Sequence, residues 1–412
     1  MYDLLIKNAF VIDGTGAPGF TGDVAVKDGK IAAVGQLDGD AAECLDASGA
    51  ALAPGFIDVH GHSDLFVQAD PGRASKLLQG ITTELCGQCG LGPAPVSEEH
   101  FKLYYTYFVQ QGTPMYPDCE SFTSFSGYLS RMENTPCGIN MGYFIPHGTV
   151  RLAVMGMSAD APDEKQLAAM QALVEDGMQA GALGLSTGLA YSPGLFAATD
   201  ELAALCESVG RHGGVYTSHL RDQGDRLEES VQEAIDIARR SPATHDVYPY
   251  AASSTMLIAT LPKEFAKLEP KQLLEALADD AQLERLAALL RDSVGAADGD
   301  AAIACGLDKL LIANAPRMPE AAGKTIAQLA AARGVGAFEM YTALLRENKL
   351  GVQYIKFGMS EADVKYLMAD ELCMYGTDGL YIPGMPMTHP RAIGSFPRVL
   401  RVAVREDKLV SL

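Results

Sequence analysis

Alternation of apolar and polar positions governs the first fifty residues and then gives way to a different rhythm. DLLIKNAFVID (3–13) and DVAVKDGKIAAVG (23–35) alternate with the period of two that half-buried strands require. Asp28-Gly29 falls inside the second run, where a two-residue hairpin turn fits. Residues 1–50 therefore read as a small antiparallel β-domain, and 51–412 as a larger second unit. From residue 51 onward, short apolar runs alternate with stretches whose apolar positions recur at three-and-four spacing. That order belongs to a parallel α/β barrel or a doubly wound sheet. Strands are expected at 56–60, 81–86, 139–144, 184–187, 214–219, 246–250 and 372–377, and helices at 165–180, 200–212 and 227–240. Between 258 and 371, Ala- and Leu-rich helices read as insertions around the apolar segment LLIANA. No internal repeat or low-complexity linker is visible.

Composition narrows the class. At 412 residues, 48% hydrophobic and 20% charged, the chain can bury one large core or two unequal ones. A net charge of -20, from 52 acids against 32 bases, works against a nucleic-acid partner, because phosphate contacts need clustered Lys and Arg. No apolar stretch approaches the length of a membrane span. The N-terminal apolar run contains Asp3 and Lys7, unlike an export signal, and the eight cysteines are scattered. The expectation is a cytoplasmic protein acting on a small molecule, with its oligomeric state open.

The reactive side chains fall at strand ends. His60 and His62 close the first parallel strand in PGFIDVHGHSD, Cys89 follows the second in GQCG, His219 ends the fifth, and Asp378 follows the last in GTDG. Residues two apart on an extended segment point the same way, so His60 and His62 can reach one metal ion. In a barrel of parallel strands these ends open on one face. Taken singly, Cys89 reads as a small buried hydrophobe, His219 as a hydrogen-bonded core histidine, and Asp378 as a turn former. Taken together they read as a metal site. His100 and His212 sit in polar helical stretches and read as solvated. His147 is either a site residue or a loop anchor.

These motifs resemble the amidohydrolase superfamily and, within it, the N-acyl-D-amino-acid deacylase (D-aminoacylase) family. The resemblance rests on PGFIDVHGHSD (54–64), GITTELCGQCGLGPAP (80–95), PHGTVRLAVMG (146–156), GALGLSTGLAYSPG (181–194), TSHLRDQGDRLEESVQEA (217–234), DVYPYAASSTML (246–257) and GTDGLYIPGMPMTHPRAIGSFPRVL (376–400). Many relatives in the superfamily bridge two metals with a lysine of the fourth strand; residues 181–194 contain none, and Cys89 fits a thiolate ligand instead. The resemblance implies a (β/α)8 barrel with a small β-sandwich domain. It also implies zinc as cofactor, with Cys89 and His219 at a tight position, and His60, His62 and Asp378 around a weaker one. Asp378 would serve as general base and then acid. Arg391, Tyr191 and Ser254 match positions that hold the substrate carboxylate; without the resemblance, Arg391 reads as a surface ion pair and Tyr191 as a packed aromatic.

Two departures from the family pattern stand out. The expected helix 227–240 runs through Ser241, Pro242, Ala243 and Thr244 directly into DVYPY, where relatives carry a further βα unit with a ligand histidine in S-H-x-K. The chain also stops at LVSL, soon after the last strand. Omitted residues, a real deletion and a remodelled barrel all fit; omission is the expectation. His245, at a strand's start, is not expected to replace the absent ligand. The main functional reading is a zinc-dependent N-acyl-D-amino-acid deacylase. The alternatives are an impaired or non-catalytic relative and a cyclic amidase resembling dihydroorotase.

Overall fold

The computed structural model describes residues 1–66, 71–101, 103–104, 122–238, 244–381 and 384–411. The alternating N-terminal runs form β1 (Tyr2–Val11), β2 (Phe20–Lys27) and β3 (Lys30–Gly35). Asp28 and Gly29 join the last two with φ of 52° and 71°, the paired left-handed conformation of a tight hairpin. β4 (Ala41–Asp46) and β5 (Ala51–Leu52) then pair with β1 in the parallel sense, so the sheet is mixed, where antiparallel was expected. Alternation specifies which face of a strand is buried, not which neighbour it pairs with or in which direction. Ala9, Val11 and Val24 form the sheet's small core. Met1–Phe56 and Leu400–Leu412 make up one compact unit, and Ile57–Val399 the other. The first unit holds one five-stranded sheet.

The remaining strands are β6 (Phe56–Asp58), β7 (Ile81–Cys86), β8 (Asn140–Tyr143), β9 (Ile145–Pro146), β10 (Gly184–Gly188), β11 (Val215–His219), β12 (His245–Val247), β13 (Ala252–Met256), β14 (Leu311–Asn314), β15 (Gln353–Phe357) and β16 (Cys373–Tyr375). All seven expected strands are present within a few residues, the third divided into β8 and β9. β12 pairs with β16, β7 with β8, and β10 with both β9 and β11, every one of these pairs parallel. β6 neighbours β7. The Val59 N–H donates to the Tyr375 carbonyl at 3.4 Å and Gly61 bridges Gly379, while the Phe144 N–H donates to the Cys86 carbonyl at 2.9 Å. The strands thus follow one another as β12, β16, β6, β7, β8 with β9, β10 and β11. Among the described residues no pairing joins β11 to β12. The abrupt junction noted in the sequence falls largely on residues 239–243, outside the described residues.

The helices obey the spacing that predicted them. Glu164–Gln179 starts at a reciprocal capping box between Asp163 and Gln166 and buries Met170, Val174 and Met178, four residues apart. Gly177 on the same face lets the helix approach Ile145 closely. The segment after β12 is more than a helical insertion: β13, β15 and β14 form an antiparallel sheet, with LLIANA supplying β14. Helices pack on it around Leu257, Leu286, Ile312, Tyr341 and Leu344, a core of its own. Among the described residues no helix is long and apolar enough to cross a membrane.

Close approach of backbones fixes the end of β7. Gly87 has φ of 76°, and a Cβ there would lie well inside van der Waals distance of the Phe144 carbonyl oxygen. Left-handed strain alone costs an alanine about 1–2 kcal/mol, before the clash is added. Gly87→Ala should therefore lower the urea midpoint by more than that strain requires; an unchanged midpoint would contradict the packing described.

Candidate metal centre

Each donor reaches the centre because the backbone beneath it is fixed. Cys89 lies in a turn after β7 and has a left-handed φ of 56°. Gln88 pins this turn: its Nε2 donates to the Val59 carbonyl at 2.9 Å and its Oε1 accepts from the Thr217 hydroxyl at 2.9 Å. The Ser186 hydroxyl accepts the Gly90 N–H at 3.1 Å and donates to the Gly87 carbonyl. One loop is thus tied to β10, to β11 and to the residue following β6. Asp378 also adopts a left-handed backbone, φ 44°, and its N–H donates to the His60 carbonyl at 2.7 Å. Two non-glycine residues in this conformation within one site are strain that the surrounding contacts must hold.

The side chains converge. His60 Nε2 lies 3.3 Å from Cys89 Sγ and 3.8 Å from Asp378 Oδ1; His62 Nε2 lies 3.1 Å from the same carboxylate oxygen. Ligand atoms of His60, His62, Cys89 and Asp378 all fall within 4.8 Å of one another. Donors at tetrahedral zinc distances stand roughly 3.3–3.8 Å apart; the His60 contacts with Cys89 and Asp378 have that spacing, and the donor types of the group suit such an ion. His219 stands at its margin, Nδ1 3.7 Å from Cys89 Sγ, with the half-buried Tyr191 ring against its imidazole at 4.8 Å. His62 Nδ1 is buried with no hydrogen-bond partner.

Electrostatics separate two cysteines three residues apart. Burial and the nearby Glu84 and Asp64 push the Cys86 thiol well above its ordinary value. Burial acts in the same direction on Cys89, but the His60 charge and hydrogen bonds from His219, His60 and His62 outweigh it and hold the thiol well below its usual range. The surroundings of Cys89 favour a thiolate, and those of Cys86 oppose one. Burial opposes charge on His62, yet the hydrogen bond to Asp378 and the Cys89 sulfur push it up to about 9. Burial also works against ionised Asp378; Arg391, His62 and His60 overcome this and keep the carboxyl well below the usual range.

Arg391 is buried, not a surface residue. Its Nη1 meets Asp378 Oδ2 at 2.8 Å, its Nη2 donates to the Ser254 carbonyl at 2.9 Å, and its guanidinium covers the Tyr248 ring at 4.6 Å. The Ser254 hydroxyl is itself buried and without a partner. His147 is an anchor: fully buried, it pairs with Glu201 at 2.9 Å at the start of the helix His147–Met155. His212 is exposed and pairs with Glu175 at 2.7 Å; His100 is half-buried. His245 meets the Leu367 carbonyl at 3.3 Å and takes no place among the donors.

Several residues that build the site escaped the sequence reading. Asp246 Oδ2 lies 2.9 Å from His60 Nδ1 and so turns Nε2 toward the thiolate. Asp58, Lys76 and Glu84 form a buried ion cluster under the same strand ends. The only available signal was an acid set inside an apolar run, as in FIDVH and ELC.

Known proteins carry the same architecture. A family profile described as the amidohydrolase family matches residues 43–369. The chain is 34% identical to the N-acyl-D-glutamate deacylase of Alcaligenes xylosoxydans xylosoxydans, an alignment covering all of this chain and 80% of that protein. The crystal structure of N-acyl-D-glutamate deacylase from Bordetella bronchiseptica, complexed with zinc and a phosphonate inhibitor that mimics the tetrahedral intermediate, superposes with a TM-score of 0.79 at 31% identity, over all of this chain and 82% of that one. A D-aminoacylase structure described by its binuclear metal centre gives 0.77 at 29% identity, over all of this chain and 83% of that one. With a mixed α/β fold that matches theirs and a family profile spanning most of its length, the chain belongs to the amidohydrolase family.

Proposed function

We propose that this protein is a zinc-dependent deacylase that hydrolyses N-acyl-D-amino acids to a carboxylate and a D-amino acid. The observation that carries this reading is the convergence of one thiolate, two imidazoles and a carboxylate beside a buried arginine. Zinc suits such a donor set and supplies Lewis acidity toward an amide carbonyl while acidifying a water molecule. His60, His62, Cys89, His219 and Asp378 would hold the metal. The succession of parallel strands reads as the wall of a (β/α)8 barrel, whose C-terminal strand ends carry the site.

The protein's own groups account for orientation and proton movement. Arg391 offers a planar fork for a free carboxylate. In the structure that fork is engaged by Asp378, so a substrate carboxylate arriving there takes Asp378's place and relieves the charge that depresses it. Asp378 can then accept a proton from attacking water and return it to the departing nitrogen. By the family resemblance Tyr191, whose ring lies against His219, and Ser254, whose hydroxyl is buried without a partner, would add hydrogen bonds to the same carboxylate. Fixing the carboxylate and the acyl carbonyl leaves only the side chain and the hydrogen to exchange, so handedness at Cα would be set by which side admits the side chain. A cyclic amidase is disfavoured because residues 181–194, which include β10, contain no lysine.

The deciding assay measures bound zinc and amino acid released from N-acetyl-D-methionine and N-acetyl-L-methionine. Turnover of the D-form by zinc-loaded protein is expected; no turnover of either, with zinc well below one per chain, would instead indicate the impaired relative. Arg391→Met removes charge-assisted hydrogen bonds of about 1.5–3 kcal/mol, so KM should rise roughly ten- to a hundredfold, and an unchanged KM would remove Arg391 from the carboxylate. Zinc binds neutral imidazole. Because His62 is raised to about 9 and His60, despite burial, is also pushed well above its ordinary value by Asp246 and Cys89, both must give up protons to a metal in this range, and zinc affinity should fall by about tenfold to a hundredfold per unit from pH 8 to pH 6. Calorimetry in buffers of different ionisation enthalpy would count the protons released; a pH-independent affinity contradicts the assignment.

A further inference from the structure

Under the proposed metal centre lies a cluster that the reaction does not use. Lys76 is 1% exposed, and Asp58 and Glu84 are fully buried. The Lys76 ammonium reaches Asp58 Oδ2 at 2.6 Å, Glu84 Oε1 at 3.0 Å and the Thr377 hydroxyl at 2.8 Å. Two carboxylates against one ammonium is an expensive thing to bury, and apolar residues of similar volume commonly serve stability as well or better. The reason for the cluster must be sought in what it holds.

It holds the backbone of the metal donors. Asp58 Oδ1 accepts the His60 N–H at 3.2 Å and the Thr377 N–H at 2.8 Å, while Oδ2 accepts the Thr377 hydroxyl at 2.7 Å. That hydroxyl in turn accepts the Gly379 N–H at 3.0 Å. Glu84 Oε1 receives the Ser63 N–H at 3.4 Å and fills the space against Gly61, where a Cβ would collide with it. The two carboxylates thus grip the chain on both sides of His60 and His62, and Asp58 also fixes the residue before Asp378. The Lys76 ammonium pairs with both carboxylates and holds them together.

We propose that Lys76 is a positioning residue: through Asp58, Glu84 and Thr377 it sets the strand-end geometry at which His60, His62 and Asp378 meet a metal ion. This rests on the zinc reading above, but its test does not rest on turnover. Fixing of ligands by surrounding hydrogen bonds is commonly worth ten- to a hundredfold in metal affinity. The same loss is expected here without loss of the fold.

The test compares zinc affinity, thermal midpoint of the zinc-free protein, and the visible spectrum of the cobalt-substituted protein. The variant Lys76→Met/Glu84→Gln removes one charge of each sign and keeps volume. It leaves the buried Asp58 carboxylate held only by the Thr377 and backbone donors, so the thermal midpoint should fall; zinc should bind about ten- to a hundredfold more weakly than that loss of stability accounts for, with altered cobalt bands. Wild-type zinc affinity with unchanged bands would overturn the proposal, as would zinc affinity that falls only in proportion to stability. Should the double variant fail to fold, Thr377→Val decides: it keeps every charge and removes the hydroxyl shared by Lys76, Asp58 and Gly379. Weaker zinc in that variant at an unchanged midpoint supports the positioning role, and wild-type affinity overturns it. Wild-type protein that bound no zinc would instead overturn the zinc reading itself.

Discussion

Several polar side chains crowd together at the strand ends, most of them buried or half-buried, and the cost of removing them from water constrains everything around them. A buried polar group without a partner is costly, and a buried charge far more so. The pocket answers with opposed pairs: Asp246 against His60, Asp378 against His62 and Arg391, Cys89 between His60 and His219. These are the charges that a divalent cation would redistribute, since thiolate and carboxylate attract it and the imidazoles give up protons to it. His62 Nδ1 and the Ser254 hydroxyl are the places where pairing stops. One belongs to a proposed metal ligand and the other to a residue whose carbonyl contacts Arg391.

Rigidity beneath the pocket comes from different means at different strands. The turn after β7 is tied by the side chains of Gln88 and Ser186 and needs left-handed backbone at Gly87 and Cys89. The ends of β6 and β16 are held by the Asp58 carboxylate, which accepts from the backbone of both. Strained positions persist because several independent contacts over-determine them. Cys89 and Asp378, the two strained donors, are also those whose neighbours hold them well below their usual pKa ranges.

Much of this was legible along the chain. Short apolar runs bounded by turn residues located all seven expected strands. Three-and-four spacing located the helices 164–179 and 199–211 to within one or two residues. His60, His62, Cys89 and Asp378 could be chosen because each sits just past such a run, and parallel strands end on a common edge. The resemblance to the deacylase family pointed to Arg391, which composition alone would have left on the surface.

Other features belong to the tertiary structure alone. The parallel pairing of β4 and β5 with β1, and the antiparallel sheet of β13, β15 and β14, depend on contacts between distant segments that no local period records. The same holds for Asp246, nearly two hundred residues from the imidazole it orients, and for Lys76, which joins Asp58, Glu84 and Thr377. In the sequence each is an ordinary charged residue next to apolar ones. Local patterning determined which segments are strands and which residue types stand at their ends; only packing decided which charges face each other, because Coulombic and hydrogen-bonded partners are selected by distance in space.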